Sequence, residues 1–257
     1  MSTRPLIGVQ LYTLRDKIDN KDFGMAKTLR EVAALGYEGV EFGGSFGEMD
    51  AASLKPLLDE LKLKTFSLHT NIDALQNTFD RVVEDALVLD ARYLAIAWSG
   101  EEYRSREGAM TLAKTLNELG AKLNSSNIQL LYHNHDFEFA QFDGEYMLDI
   151  VYANTDEKLL KLEVDTFWVQ TAGVDAASYI RQYSGRVPLV HLKDMSDGGA
   201  VIFAPVGQGT MKWPPIFEAA EAGGAVAYIV EQDQCDGDSL ESVRISIENL
   251  KQMGKLN

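Results

Sequence analysis

The chain has four histidines, and three of them close short apolar runs. His69 follows Phe66-Ser67-Leu68, His191 follows Val187-Pro188-Leu189-Val190, and His133 follows the run from Ile128 to Tyr132, with His135 two residues on. Carboxylates close two further runs, Asp165 after Leu160-Lys161-Leu162-Glu163-Val164 and Glu231 after Ala227-Tyr228-Ile229-Val230. Imidazoles and carboxylates bind divalent ions and also carry protons near neutral pH. On a strand, side chains two apart share a face, which pairs Glu163 with Asp165, His133 with His135, His191 with Lys193, Glu231 with Asp233 and Glu41 with Gly43. If Asp165, His191 and Glu231 face one cavity, two carboxylates and an imidazole converge there. Such a set suits Mn²⁺, Co²⁺, Zn²⁺ or Mg²⁺ without selecting among them. The plainer alternative has Asp165 and Glu231 capping neighbouring helices or pairing with Lys193, and any single histidine hydrogen-bonded in the core.

The elements that carry these residues alternate along the chain. Expected strands run over Leu6–Leu11, Gly39–Phe42, Lys64–His69, Tyr93–Ala97, Ile128–His133, Leu160–Asp165, Val187–His191 and Val226–Glu231. Between them, apolar residues at helical spacing predict helices over Phe23–Leu35 (with Gly36 as C-cap), Ala51–Leu61, Asp73–Leu89, Arg106–Leu123, Met147–Ala153, Asp175–Tyr183, Trp213–Ala222 and Leu240–Met253. Parallel strands need crossover helices, so this alternation predicts a single (β/α)8 TIM barrel over residues 1–257, with a loop from Ser196 to Gly209. In such a barrel, residues at the carboxyl ends of the strands build the site. A doubly wound open sheet is the alternative, but Gln10-Leu11-Tyr12-Thr13 stands where its Gly-rich fingerprint belongs.

Composition excludes several functions. With 24 basic against 39 acidic residues and a net charge of −15, the chain has no basic stripe for nucleic acid. No apolar run approaches the ~18 residues of a membrane span, and the first residues show no secretion signal, so a cytoplasmic protein is expected. The single cysteine, Cys235, excludes an internal disulfide and a cysteine-rich metal site. A homo-oligomer is compatible with this surface.

Gly8-Val9-Gln10-Leu11-Tyr12, Gly39-Val40-Glu41, His69, Tyr132-His133-Asn134-His135, Val164-Asp165-Thr166-Phe167-Trp168, His191-Leu192-Lys193-Asp194 and Val230-Glu231-Gln232-Asp233 occur in that order. In these pieces the chain resembles the xylose-isomerase-like sugar isomerase/epimerase barrels over essentially its whole length. The resemblance implies one divalent ion at the ends of strands five to eight, with Asp165, His191 and Glu231 as ligands. Strand five departs from the pattern, because the ketose epimerases carry a glutamate where this chain has Tyr132-His133-Asn134-His135. His133 or His135 is left to supply the fourth ligand, with His133 the expected one.

The implied reaction is proton abstraction next to a carbonyl of a sugar or keto sugar, through an enediolate. Glu231, His69 and His135 are the expected acid/base groups. Return of the proton gives isomerisation or epimerisation, which is the expected activity. Loss of a β-substituent from the same enediolate gives a keto-sugar lyase or dehydratase of 3-keto-glycoside or inosose type, and the strand-five departure makes this a serious rival. A non-catalytic sugar-binding barrel is the remaining alternative, while the abasic-site DNA endonuclease that shares the fold is disfavoured by charge. Gln10, Glu41 and Glu138 are candidates for binding sugar hydroxyls. Tyr12 and Trp168, with Trp98 and Phe137, could stack on a sugar face, and Lys193 suits a hydroxyl or an anionic group. No Gly-rich phosphate cradle is evident.

Overall fold

The computed structural model describes residues 4–197 and 203–256. Eight strands, β1 (Leu6–Gln10), β2 (Gly39–Phe42), β3 (Lys64–Thr70), β4 (Tyr93–Ile96), β5 (Gln129–His133), β6 (Leu160–Asp165), β7 (Leu189–Leu192) and β8 (Ala227–Val230), pair in parallel and close into one barrel in chain order. Closure of β1 on β8 through Leu6↔Ala227 to Val9↔Val230 excludes an open sheet. The outer layer holds α1 (Gly24–Leu35), α2 (Ala51–Leu61), α3 (Phe79–Val88), α4 (Arg106–Asn124), α5 (Met147–Ala153), α6 (Ala176–Gln182), α7 (Trp213–Ala222) and α8 (Ser239–Gln252). Each helix turns an apolar face to the sheet; α1, for example, buries Met25, Leu29 and Val32. Gly36 ends α1 at φ 95°, a left-handed conformation that glycine adopts without a Cβ clash.

The boundaries differ from expectation where loops carry structure of their own. The helix expected over Asp73–Leu89 is two helices, Ile72–Asn77 and α3, broken at Thr78. Between β5 and α5 lie a 3-10 turn, Phe137–Phe139, and a hairpin pairing Gln141–Phe142 with Glu145–Tyr146. Within the loop expected over Ser196 to Gly209, Phe203–Ala204 pairs with Asp194–Met195, and residues 198–202 lie outside the described residues. No helix among the described residues is long and apolar enough to cross a membrane.

Inside the barrel the lower layer is apolar, made by Phe66, Ala95, Leu131, Leu189, Ala227 and Ile229. Moving toward the carboxyl ends along the same strand faces, the residues become polar while staying buried: Gln10, Glu41, Ser67, His133, Glu163, Asp165, His191 and Glu231. A bulge in β3 joins the two layers there. Val40 pairs with Thr65 but Glu41 pairs with Ser67, so β3 carries one extra residue. Phe66 can then fill the barrel floor while Ser67 Oγ donates to Glu41 and His69 reaches Glu163; without the extra residue, strict alternation would put Phe66 and His69 on opposite faces.

Room for the Phe66 ring comes from Gly8 and Gly39 on the neighbouring strands. A Cβ on Gly8 would lie 2.6 Å from Phe66 Cε2, and one on Gly39 would lie as close to the same atom and closer still to the Lys64 carbonyl. Gly39→Ala is therefore expected to destabilise the fold by about 1–3 kcal/mol through overpacking. Denaturant unfolding checks this, and an unchanged midpoint would mean that the floor has space to spare.

Candidate active site

The polar layer forms one cluster at the carboxyl ends of the strands. His133, Asp165, His191 and Glu231 each offer one ligand atom, and these atoms lie within 4.8 Å of one another. A second group, His69, His133, Glu163 and His191, meets the same limit and shares two imidazoles with the first. Neighbouring strands in register bring them together, since His133 pairs with Glu163 and Asp165 with His191. Asn134 locks the junction of β5 and β6 by accepting the Asp165 N–H at 3.0 Å.

Each carboxylate is pinned. Asp165 Oδ1 accepts the N–H groups of Phe167 and Trp168 at 2.9 and 3.1 Å, which caps the short helix Thr166–Thr171 and leaves Oδ2 for the cluster. Glu231 Oε2 lies 2.9 Å from His191 Nδ1 and 2.9 Å from Lys193 Nζ. Glu41 Oε1 meets His69 Nε2 and His191 Nε2, both at 2.8 Å, and receives a 2.6 Å bond from Gln10 Nε2. Glu163 Oε2 is 2.8 Å from His69 Nε2 and 3.4 and 3.5 Å from His133 and His191. The capping and Lys193 pairing weighed as the plainer reading of Asp165 both occur, and both leave it inside the cluster.

Proton affinities follow from this crowding. Burial opposes a charge on His69, yet the Glu41 and Glu163 carboxylates beside it outweigh burial and raise its pKa to about 10. His191 is likewise buried but held protonated by Glu163, Glu41 and Glu231. Burial would raise Glu231, but Lys193 and His191 hold it well below the usual carboxylate range. His135 goes the other way, because burial and the charges at His133 and Lys193 drive its pKa down to about 2. The same residue type is thus a cation on one side of His133 and a neutral ring on the other, at ring-centroid distances of 5.0 Å in both cases.

Several residues expected to touch substrate are hydrogen-bonded in or beside the cluster. Gln10 and Glu41 are fully buried and bonded to each other. Glu138 is also fully buried; it accepts from Tyr132 Oη at 2.9 Å and from the His135 N–H at 2.7 Å, and so fixes the loop after β5. Lys193 is enclosed by carboxylates. Trp168 is half-buried with its ring 5.5 Å from His135, while Tyr12 and Trp98 stand 44% and 50% exposed. Glu163, not among the expected site residues, enters the cluster on the strand face it shares with Asp165.

The donor set fits a divalent ion. Ligand atoms about 2 Å from a common ion lie within about 4 Å of one another, close to the separation here. Asp165 Oδ2 and His133 Nδ1 are buried without hydrogen-bond partners, so both have capacity for one more contact. Both nitrogens of His191 face carboxylates, so His191 would have to lose a proton to hold an ion.

His69 has a higher pKa in the fold, about 10, than the 6.5 of an ordinary histidine. Its protonation therefore stabilises the folded chain fully below pH 6.5, and that contribution is lost as pH rises toward 10. Melting temperatures in chelator should fall across that window, with a shallower fall in His69→Gln. Parallel curves for the two proteins would show that His69 holds no extra proton.

Comparison with known proteins adds relatives to this geometry. The inosose dehydratase of Clostridium perfringens is 26% identical, over 87% of this chain and 89% of its own. A sugar phosphate isomerase/epimerase from Parabacteroides distasonis superposes with a TM-score of 0.84 at 22% identity, covering 100% of this chain and 97% of that one. The IOLI protein, solved with a bound zinc atom, superposes with a TM-score of 0.74 at 13% identity, over 98% and 99%. The chain belongs to the xylose isomerase-like TIM barrel family, whose profile matches residues 29–253.

Proposed function

We infer that the chain is a metal-dependent enzyme that removes a proton next to the carbonyl of a keto sugar or keto-cyclitol and then expels a β-hydroxyl as water. The observation that carries this reading is the single buried cluster in which a carboxylate held ionised, Glu231, and an imidazole held protonated, His69, share partners with a four-donor ligand set. The names of relatives such as the Clostridium perfringens inosose dehydratase support elimination as the outcome, where sequence reasoning put isomerisation first.

His133, Asp165, His191 and Glu231 would hold the ion. Bound there, it would supply Lewis-acid polarisation of a carbonyl oxygen and the hydroxyl beside it. Glu231 accepts the proton from the carbon next to the carbonyl, and the electrons of that C–H bond enter the enediolate. As they move on to form a C=C bond, the β C–O bond breaks and His69 delivers its proton to the departing hydroxyl. His135, expected among the acid/base groups, has its pKa lowered by burial and would hydrogen-bond a sugar hydroxyl as a neutral ring, with Trp168 beside it. A second reading, isomerisation or epimerisation, would use the same pair, Glu231 and His69, with His69 returning its proton to carbon instead of to the departing hydroxyl.

Wild type should bind one divalent ion per chain, and Asp165→Asn should lose it while keeping the fold. Elemental analysis with circular dichroism checks this; equal metal content in both proteins would remove Asp165 from the ligand set. Glu231→Gln should lower turnover by about 10²–10⁴-fold. Incubating metal-loaded protein with an inosose and a panel of ketoses in deuterated water, with products weighed by mass spectrometry, decides the reaction. Loss of one water supports dehydration, an isomer or epimer carrying solvent deuterium supports the second reading, and neither turnover nor exchange with any substrate would sink the enediolate.

A further inference from the structure

Lys193 lies 1% exposed within the ligand cluster, a fixed positive charge among the carboxylates assigned to the ion. Its Nζ is 2.9 Å from Asp165 Oδ2, 2.9 Å from Glu231 Oε2 and 3.0 Å from Asp233 Oδ1. These three contacts differ in kind. The contact to Asp233 has hydrogen-bond geometry, whereas Asp165 Oδ2, although buried, accepts no hydrogen bond. Because Asp165 Oδ1 is committed to the N–H groups of Phe167 and Trp168, Oδ2 is the oxygen Asp165 can offer to an ion. Glu231 Oε2, beside His191 Nδ1, is also claimed by the ammonium. A divalent ion and Lys193 therefore compete for the same oxygen atoms, and two cations that close repel strongly away from water.

We propose that Lys193 is an internal counter-ion that shares Asp165 and Glu231 with the divalent ion and yields them by withdrawing to Asp233. The retreat has a partner in place, because the directed hydrogen bond to Asp233 already exists. The rings of Trp168 and Phe203 lie 5.3 and 5.7 Å from Nζ and offer their faces to the cation. Asp233 is 28% exposed at its side chain, so the Lys193–Asp233 pair sits at the wetter rim of the cluster. This exchange sets ion affinity below what the ligands alone would give, and it keeps Asp165 and Glu231 neutralised. The inference rests on assigning the ion to His133, Asp165, His191 and Glu231.

The test titrates Mn²⁺ calorimetrically into chelator-stripped wild type, Lys193→Met, Asp233→Asn and the double variant, with Zn²⁺ as a second probe. Lys193→Met should bind Mn²⁺ about tenfold tighter or more, because the competing charge is gone. Asp233→Asn should bind more weakly, since Lys193 then has no carboxylate to retreat to. In the double variant the Asp233 effect should shrink, which separates retreat from the plain loss of a nearby charge. Metal-free Lys193→Met should melt below wild type and gain more from added Mn²⁺. Binding by Lys193→Met at wild-type strength or weaker would overturn the proposal while the ligand assignment stood. Binding by neither wild type nor Lys193→Met would take down both, and binding by Lys193→Met alone would support the competition directly. Should Lys193→Met fail to fold, Asp233→Asn decides, and an affinity equal to wild type would overturn the proposal.

Discussion

The constraint on which the structure turns is the containment of negative charge inside a closed ring of strands. Glu41, Glu163, Asp165 and Glu231 are all 4% exposed or less. A carboxylate taken from water costs several kcal/mol unless it is paired and hydrogen-bonded. The barrel meets that demand with a small set of cations: His69 and His191 between Glu41 and Glu163, and Lys193 among Asp165, Glu231 and Asp233. His69 and His191 are consequently held protonated; for His69 that is what a proton donor requires, whereas His191 would have to give up a proton to hold an ion.

Neutralising the cluster also dictates what surrounds it. Gln10 and Glu138, expected from sequence to bind sugar hydroxyls, are hydrogen-bonded to Glu41 and to the His135 N–H. Asp194, next to Lys193 but alternating to the other side, gathers the N–H groups of Met195, Gly207, Gly209 and Met211 and the Trp213 indole, tying residues 207–213 to the end of β7. Outside the cluster the rim keeps the exposed rings of Tyr12 and Trp98, each with an arginine guanidinium over its face. A buried charged layer thus lies beneath an aromatic rim, with the apolar floor of the barrel below it.

The contrast between His69 and His135 shows how environment assigns roles to one residue type. Both lie one ring from His133, but carboxylates surround the first, while the second meets Trp98, Phe137 and Trp168. Two titratable groups pushed apart in this way make a division of acid and hydrogen-bonding roles possible without any change in side-chain chemistry.

Strand–helix alternation, the closed barrel that follows from it, and the placing of His133, Asp165, His191 and Glu231 at strand ends were legible in the chain itself. Period-two alternation and apolar runs are local signals, and they survive into the fold because parallel strands buried on both faces have few other ways to pack. What tertiary structure decided lies where alternation is broken or where partners are distant in sequence. The extra residue in β3 turns both Phe66 and His69 inward, and only pairing with β2 reveals it. Glu163 becomes the meeting point of three imidazoles because strands β3, β5 and β7 converge on it. Whether His135 is charged, and whether Glu138 meets solvent, depends on burial by loops whose hairpin and 3-10 turn leave no periodic trace. Side-chain type and spacing are properties of the chain, whereas charge state and accessibility are set by neighbours brought in from elsewhere, and these exist only once the barrel has closed.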